Sequence, residues 1–341
     1  MGNKINLGII GKNFGYHVIY KSFLKNSKYK VVAFCFKSKE IGNLKIPKSI
    51  KIYSSWKKLI LDKKINAVAI ATPPSLHKDI IKFAIKNKKH IFCEKPLGCS
   101  FKEASFICNL IKKNKNIAHI VNYEFAEITA FKILKKKIIN NKKVKKIYLN
   151  WFINLNKRSS SNWKENHHKG GGILFNYICH SVYYLEFLFG KIISVKTDIV
   201  LKKEKKIRSL RGFVYFKNDL FAKLEFCAGS INKGTEPIHQ LKISTDKITY
   251  YLKTKLNSLK DKFKLIESKN NSNKNVKILF KSKENQDDFR IEPTKKNAEK
   301  FSNWILKGQT KKPNLHDAKR IHLIINKMIL SSKKKSEIYI N

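Results

Sequence analysis

The sequence predicts an α/β domain followed by an α+β domain: a doubly wound parallel sheet first, then an open-faced, largely antiparallel sheet. Three observations predict it. Strand-like and helix-like segments alternate with short connections up to about residue 124, the pattern of parallel βαβ units. From residue 125 long β-rich runs dominate, and after about residue 295 helical periodicity returns. The expected domains are therefore 1–124 and 125–294, with helices over about 295–333 able to pack back on the first.

The elements follow in order. "KINLGIIG" (4–11) reads as an apolar strand and "YHVIYKSFLKN" as a helix after it. "YKVVAFCFKS" (29–38) and "INAVAIATPPS" (65–75) are the next strands, the latter ended by Pro-Pro. "LHKDIIKFAIKNKK" (76–89) is an amphipathic helix, "HIFCEKP" (90–96) a short strand, and "SFKEASFICNLIKKN" (100–114) a helix with Ser100 as N-cap. "IAHIVNYEF" (117–125) is the last strand of the set. "EITAFKILKKKII" is a helix leading into the β-rich runs "VKKIYLNWFINL", "IISVKTDIVL", "SLRGFVYFKNDLFAKLEFCAG", "HQLKISTDKITYYLK" and "VKILFKS". "FKNDLF" marks a hairpin turn, and the polar 268–288 stretch reads as a mobile loop or an edge. "KKNAEKFSNWILKG" and "LHDAKRIHLIINKMILSS" are the closing helices.

The 341 residues are enough for two cores, and 42% hydrophobic content with 22 phenylalanines excludes a disordered chain. The N-terminus reads as a first strand, not a signal peptide, and no apolar run is long enough to span a membrane, so a cytoplasmic protein with no membrane partner is expected. Six scattered cysteines suit reduced thiols. His167 and His168 are adjacent and diverge, a poor metal pair, so no metal is expected. The net charge of +49 has two readings. Lysines spread along every segment fit compositional drift better than a nucleic-acid footprint, which is usually a patch or stripe. No nucleic-acid partner is expected, although a diffuse positive field attracts phosphorylated small ligands.

The first strand-to-helix turn reads Gly8-Ile-Ile-Gly11-Lys-Asn13-Phe14-Gly15. A dinucleotide turn wants G-x-G-x-x-G, which lets the backbone approach a pyrophosphate at a helix N-terminus. Gly11 fits the first position, Asn13 stands for the second glycine, and the third arrives one residue early at Gly15. Asn tolerates positive φ. At the end of the second strand, where an NAD site carries an acid for the ribose, Cys35-Phe36-Lys37-Ser38 offers a cation instead. That slightly favours NADP(H) over NAD(H); a surface lysine in a lysine-rich chain explains Lys37 about as well.

The segment "GGGILFNYICHSVYYLEFLFG" (170–190) puts Asn176 and His180 four apart in an otherwise apolar helix. Buried polar groups need partners or a job. Either the two satisfy each other in the core, or they form one wall of a site.

"ATPPSLH" (71–77), "CEKPLG" (93–98) and "GGGILFNYICH", in this order and spacing, resemble the Gfo/Idh/MocA oxidoreductase family over essentially the whole chain. The resemblance implies a Rossmann nucleotide domain and then a sheet domain. It implies Lys95 beside the nicotinamide and the reacting hydroxyl, after a cis Lys95–Pro96 bond. The catalytic set is then Lys95, His180 and Asn176: the histidine takes the hydroxyl proton while the ammonium stabilises the developing alkoxide. Candidate cofactor contacts are Gly11, Asn13, Phe14, Gly15, Lys37, Ser38, Thr72, Pro73, His77, Glu94 and Lys95. Candidate substrate contacts are Asn122, Tyr123, Trp163, Lys164, Asn176 and His180. The chain departs from the family pattern with Asn176 for Asp, Ile178 for Gly, Tyr183 for the last Asp, and Glu124 where an Arg is usual. Losing the Asp charge should set the His180 pKa lower than in typical relatives.

The function so implied is hydride transfer between nicotinamide and a carbinol or keto carbon of a sugar, cyclitol or sugar derivative, with surface-polysaccharide sugars as a family-level setting. The alternative is a catalytically altered cofactor- or sugar-binding protein of the same fold. Relatives associate through the open sheet face, so a homodimer or homotetramer is expected, with strands at 147–155 and 210–228 supplying its apolar content.

Overall fold

The computed structural model describes residues 4–36, 42, 44–140, 143–154, 166, 169–201, 207–217, 219–229, 237–255, 263–270, 276–282 and 287–340. The chain forms two compact units, one of residues 1–124, 168–171 and 290–322, the other of 125–167, 172–289 and 323–341.

In the first unit β1 (Ile5–Ile10), β2 (Tyr29–Cys35), β3 (Lys51–Tyr53), β4 (Ala67–Ile70), β5 (His90–Cys93) and β6 (His119–Val121) form one sheet. All pairs are parallel and the order is β3-β2-β1-β4-β5-β6. The order reverses between β1 and β4, the switch point where sheets of this kind bind ligands at their carboxyl ends. Leu7, Ile9, Ala67, Ala69 and Phe92 are fully buried, which is why these strands read as continuous apolar runs. They are shorter than those runs, because the residues after each strand form the loops of the candidate site. The helices are α1 (Lys21–Leu24), α2 (Trp56–Leu61), α3 (His77–Lys86) and α4 (Phe101–Lys112), with Gly15–Tyr20 coiling at π pitch into α1. Ser100 caps α4 as expected: its side chain accepts from Glu103 N at 3.2 Å, and Glu103 Oε2 accepts from Cys99 N at 2.7 Å.

The second unit holds α5 (Thr129–Asn140), α6 (Cys179–Phe189) and a nine-stranded sheet. Its strands are β7 (Val144–Asn154), β8 (Ile192–Leu201), β9 (Ile207–Phe216), β10 (Phe221–Gly229), β11 (Ile238–Thr245), β12 (Ile248–Thr254), β13 (Lys264–Lys269), β14 (Val276–Lys281) and β15 (Ile338–Tyr339). They run β14-β13-β12-β11-β7-β10-β9-β8-β15, antiparallel except for the β7–β10 pair. Ile147, Leu149 and Trp151 bury one face of β7, while Tyr148 and Phe152 on the other stay half-buried. β9 and β10 pair antiparallel from Tyr215 and Phe221 onward, and β14, inside the polar 268–288 stretch, is an edge strand of the sheet.

Helix α7 (Ile291–Lys307) belongs to the first unit. Ser22 Oγ donates to Ile291 O at 2.9 Å, Tyr29 OH donates to Ala298 O at 2.7 Å, and Phe301 joins the Phe23–Phe34–Phe92 core. Helix α8 (Leu315–Lys334) closes the helical set. No described helix is long and apolar enough to cross a membrane, and no described group of three His, Cys, Asp or Glu could hold a metal. None of the six cysteines forms a disulfide.

Candidate active site

The turn after β1 is built around Gly11, whose φ is +117°. A Cβ there would stand 2.4 Å from the Ala71 carbonyl oxygen, so only glycine lets the turn close on the end of β4. Backbone bonds hold it: Gly11 N donates to Cys35 O at 3.0 Å and Ala71 N to Ile10 O at 2.7 Å. The helix opens at Asn13, with Asn13 exposed and Phe14 half-buried, and Tyr16 N donates to Lys12 O at 2.7 Å to close its first turn. A Cβ on Gly15 would lie 3.1 Å from Ile9 Cγ2 and 3.6 Å from Ala71 Cβ, so Gly15 serves close helix–strand packing although it comes one residue early. This is a fitting seat for a pyrophosphate at a helix N-terminus.

Thr72 and Pro73 follow β4. The Thr72 hydroxyl is sealed from solvent and has no hydrogen-bond partner in the protein, a cost that a bound ligand's polar group would remove. His77, fully buried, is tied to both neighbouring loops: Nε2 lies 2.9 Å from Thr72 O and Nδ1 3.0 Å from Pro96 O. Burial lowers its pKa to about 4, so the ring is neutral and can donate to only one of those carbonyls. The Cys93 thiol lies 3.5 Å from the same Nδ1 and donates to Glu94 O at 3.2 Å. His77 therefore fixes the geometry of the "ATPPSLH" and "CEKPLG" loops.

Those loops carry Glu94 and Lys95, and the Lys95–Pro96 bond is cis, as the resemblance implies. Glu94 is 7% exposed and sits in a polar cluster. Asn122 Nδ2 donates to Glu94 Oε1 at 2.6 Å and to Thr294 Oγ1 at 3.1 Å, and Asn297 Nδ2 donates to Asn122 Oδ1 at 3.0 Å. Burial first, and then the nearby carboxylate of Glu124, raise the Glu94 pKa to about 8, against smaller downward pulls from Asn122, Lys95 and Arg290. Glu94 is thus mostly neutral at pH 7, so the half-buried Lys95 ammonium is not cancelled by the carboxyl beside it. Gly170 packs against both of these loops: at φ +75° its Cα position would put a Cβ 2.6 Å from Pro74 Cβ and 3.4 Å from Gly98 O.

In the second unit the expected helix begins with a π-pitched stretch, Leu174–Ile178, before α6. Such widened turns occur often at functional sites, and this one carries the half-buried Asn176. His180, 4% exposed, stacks on Phe125 with ring centroids 4.4 Å apart and planes 18° apart. Phe125 in turn stacks on Trp151 at 5.8 Å. The His180 ring is therefore held flat against an aromatic wall. One turn on, Tyr184 OH lies 2.9 Å from His239 Nε2 and donates to Ser181 Oγ at 3.1 Å. Burial lowers the His239 pKa to about 3, so it is a neutral core group.

Of the expected cofactor contacts, Gly11, Asn13, Phe14, Gly15, Thr72, Pro73, His77, Glu94 and Lys95 all lie in the first unit, on the turns and loops after β1, β4 and β5 or at the start of α3. Among the substrate candidates, Asn122 and Tyr123 are buried in that unit, with the Asn122 amide bonded within the Glu94 cluster, while Asn176 and His180 lie in the second. Lys37, Ser38, Trp163, Lys164, His167 and His168 fall outside the described residues. Sequence reasoning missed the partners Thr294, Asn297 and Arg290, which come from the far end of the chain.

Comparison with known proteins agrees with this architecture. The family model described as the oxidoreductase family with an NAD-binding Rossmann fold matches residues 5–123, and the family's C-terminal alpha/beta domain matches residues 135–340. A 2,7-anhydro-N-acetylneuraminate hydratase of Escherichia coli (strain K12) is 31% identical over 184 residues, 52% of this chain and 47% of that protein. A levoglucosan dehydrogenase of Pseudarthrobacter phenanthrenivorans is 39% identical over 85 residues, 25% of this chain and 22% of that one. The chain thus spans about half, or less, of the length of these two curated relatives. The solved structure of a levoglucosan dehydrogenase with NADH and levoglucosan superposes with a TM-score of 0.82 at 18% identity, covering 99% of this chain and 100% of that one. An aldose-aldose oxidoreductase from Caulobacter crescentus gives 0.81 at 14% identity, covering 99% and 100%. With both of its domain models matched in sequence order and the nucleotide turn built as the fold requires, the chain belongs to the Gfo/Idh/MocA oxidoreductase family.

Proposed function

We propose that this protein is an NAD(P)-dependent oxidoreductase that moves a hydride between nicotinamide and a carbinol or keto carbon of a sugar, cyclitol or sugar derivative. The observation that carries the reading is the Gly11 turn, closed on Ala71 at a φ that only glycine tolerates well, with a helix N-terminus opening two residues later. Gly11, Asn13, Phe14 and Gly15 would hold the pyrophosphate, Thr72 and Pro73 the adjoining part, and Lys95 the reacting end. The bound dinucleotide supplies the hydride acceptor or donor. Lys37 and Ser38, following a strand end without a carboxylate, favour NADP(H).

The chain's own groups manage the proton and the charge. His180, its ring set by the stack on Phe125, takes the hydroxyl proton when a carbinol is oxidised and returns it in the reverse direction. Lys95 stabilises the developing alkoxide, and the near-neutral state of Glu94 leaves that charge effective. Asn176 hydrogen-bonds substrate hydroxyls, and Trp163 and Lys164 extend the substrate contacts. The test is Lys95→Met assayed on the best substrate from a panel of sugars and cyclitols. Turnover should fall by about a hundredfold or more, with folding and cofactor binding retained. Unchanged turnover removes Lys95 from the chemistry. The departures at Asn176 and Glu124 favour a second reading, a cofactor- or sugar-binding protein that does not catalyse. Its signature is cofactor binding by the wild type with activity appearing only in Asn176→Asp.

A further inference from the structure

Glu94 is the first residue after β5, at the carboxyl end of the sheet where the dinucleotide of this fold lies, and it precedes Lys95. Its two carboxyl oxygens stand in different surroundings. Oε1 accepts the 2.6 Å bond from Asn122 Nδ2. Oε2 bonds to no described residue and, unlike the Thr72 hydroxyl, is not sealed from solvent. The amide that holds Oε1 is fixed in its orientation. Asn122 gives one N–H to Glu94 and the other to Thr294 Oγ1, and its oxygen accepts from Asn297 Nδ2. Asn122, Thr294 and Asn297 are fully buried, so water does not compete for these bonds. Asn297 Oδ1, by contrast, is buried with no partner, a penalty that packing alone does not explain. That arrangement keeps the Asn297 N–H on Asn122, and so the Asn122 N–H on Glu94.

The direction of the Glu94 proton follows. The oxygen that accepts an amide N–H is the carbonyl oxygen of a neutral acid, so the acid proton lies on Oε2. The surroundings keep the group in that neutral form. Burial and the Glu124 carboxyl oppose its ionisation, and they outweigh Asn122, Lys95 and Arg290, which favour it. The remaining ionisable neighbour, Cys93, is a thiol that burial keeps protonated. The result is an O–H donor with no acceptor among the described residues, on the solvent-accessible oxygen of the residue before Lys95. A carboxylic acid held neutral in this way is a hydrogen-bond donor for a ligand oxygen, and only while the proton stays.

We infer that Glu94, aimed by Asn122 and Asn297, donates its acid O–H to an acceptor oxygen on the nicotinamide–ribose half of the bound dinucleotide. The inference rests on the nicotinamide-dinucleotide reading of the site. It is tested by calorimetric titration of the full chain with NADH and with ADP-ribose, which keeps the second ribose and lacks nicotinamide. Wild-type affinity for NADH should fall as pH rises through about 8, because the ionised carboxyl has no proton to donate. Glu94→Leu should weaken NADH binding by about tenfold at pH 7. Glu94→Gln, whose amide keeps an acceptor for Asn122 and a donor that does not titrate, should recover most of that loss. Its affinity should also stay flat through the same pH range. An equal response of ADP-ribose assigns the acceptor to the ribose, and a response of NADH alone assigns it to the nicotinamide carboxamide. Wild-type NADH affinity that stays flat through that range overturns the inference, and this result needs no variant to fold. Glu94→Gln binding no better than Glu94→Leu overturns it too, since the ionised carboxylate would then be the required form. Wild type that binds neither ligand at any pH overturns the dinucleotide reading itself, and the inference with it.

Discussion

Glu94 shows how a single residue can be legible in type and illegible in state. The E-K-P motif names it, and the sequence shows Glu124 in place of a usual arginine, but only the fold brings the two carboxyls into one buried cluster. The pH dependence of stability follows. The folded pKa of Glu94, about 8, lies above its ordinary value of 4.5, so the folded state holds the extra proton and stability falls as pH rises between those values. Buried His77, His119, His239 and His322 have the opposite sign. Burial lowers their pKa values to about 4, 3, 3 and 3, so the unfolded state takes up protons first and stability falls as pH drops below about 6.5. Four groups outweigh one between pH 4.5 and 6.5, and Glu94 alone acts above. Melting temperature should therefore peak near neutrality and decline steeply towards acid and gently towards pH 8. Glu94→Gln, which mimics the protonated carboxyl, should match wild type only near pH 4.5, melt above it at pH 7, and abolish the gentle alkaline decline. A melting curve of Glu94→Gln that keeps that decline would contradict the assignment.

Among the elements, the apolar runs located the parallel strands because those strands are buried on both faces, and Ser100 announced α4 through a capping side chain. Other elements were hidden for physical reasons. The three-residue β3 and the six-residue α2, with Lys57 and Lys58 inside it, carry too little periodicity. "HQLKISTDKITYYLK" reads as one run, although β11 and β12 form a hairpin there, because the turn Asp246-Lys247 contains no glycine, proline or asparagine. The nine-stranded sheet also defines a face. Tyr148, Phe152, Phe213 and Tyr215 are half-buried on it and Phe221 is 43% exposed, interleaved with Lys223, Glu225 and Arg211. We propose that this face mediates self-association, in keeping with its aromatic content. Light scattering should give two or four times the chain mass, and Phe213→Glu should lower it to one. A monomer in the wild type at micromolar concentration would refute the proposed face.

For the whole molecule, the order of motifs was more informative than any one of them. The incomplete glycine pattern carries little weight alone; the fold shows that Gly11 and Gly15 still perform the closing and packing tasks, and Arg290 contributes a cation over the neighbouring Phe14 ring. That contribution could not be read locally, since it joins positions 14 and 290. The charge of +49 is likewise a property of the whole chain, which raises the local concentration of any anionic ligand and makes its binding salt-dependent. The central claim is that the chain binds a nicotinamide dinucleotide at the Gly11 turn. Fluorescence titration with NADPH and separately with NADH, at physiological salt, tests it most directly. The account predicts saturable binding of both, tighter for NADPH; tighter NADH binding would overturn the part assigned to Lys37 and Ser38, and binding of neither would contradict the claim.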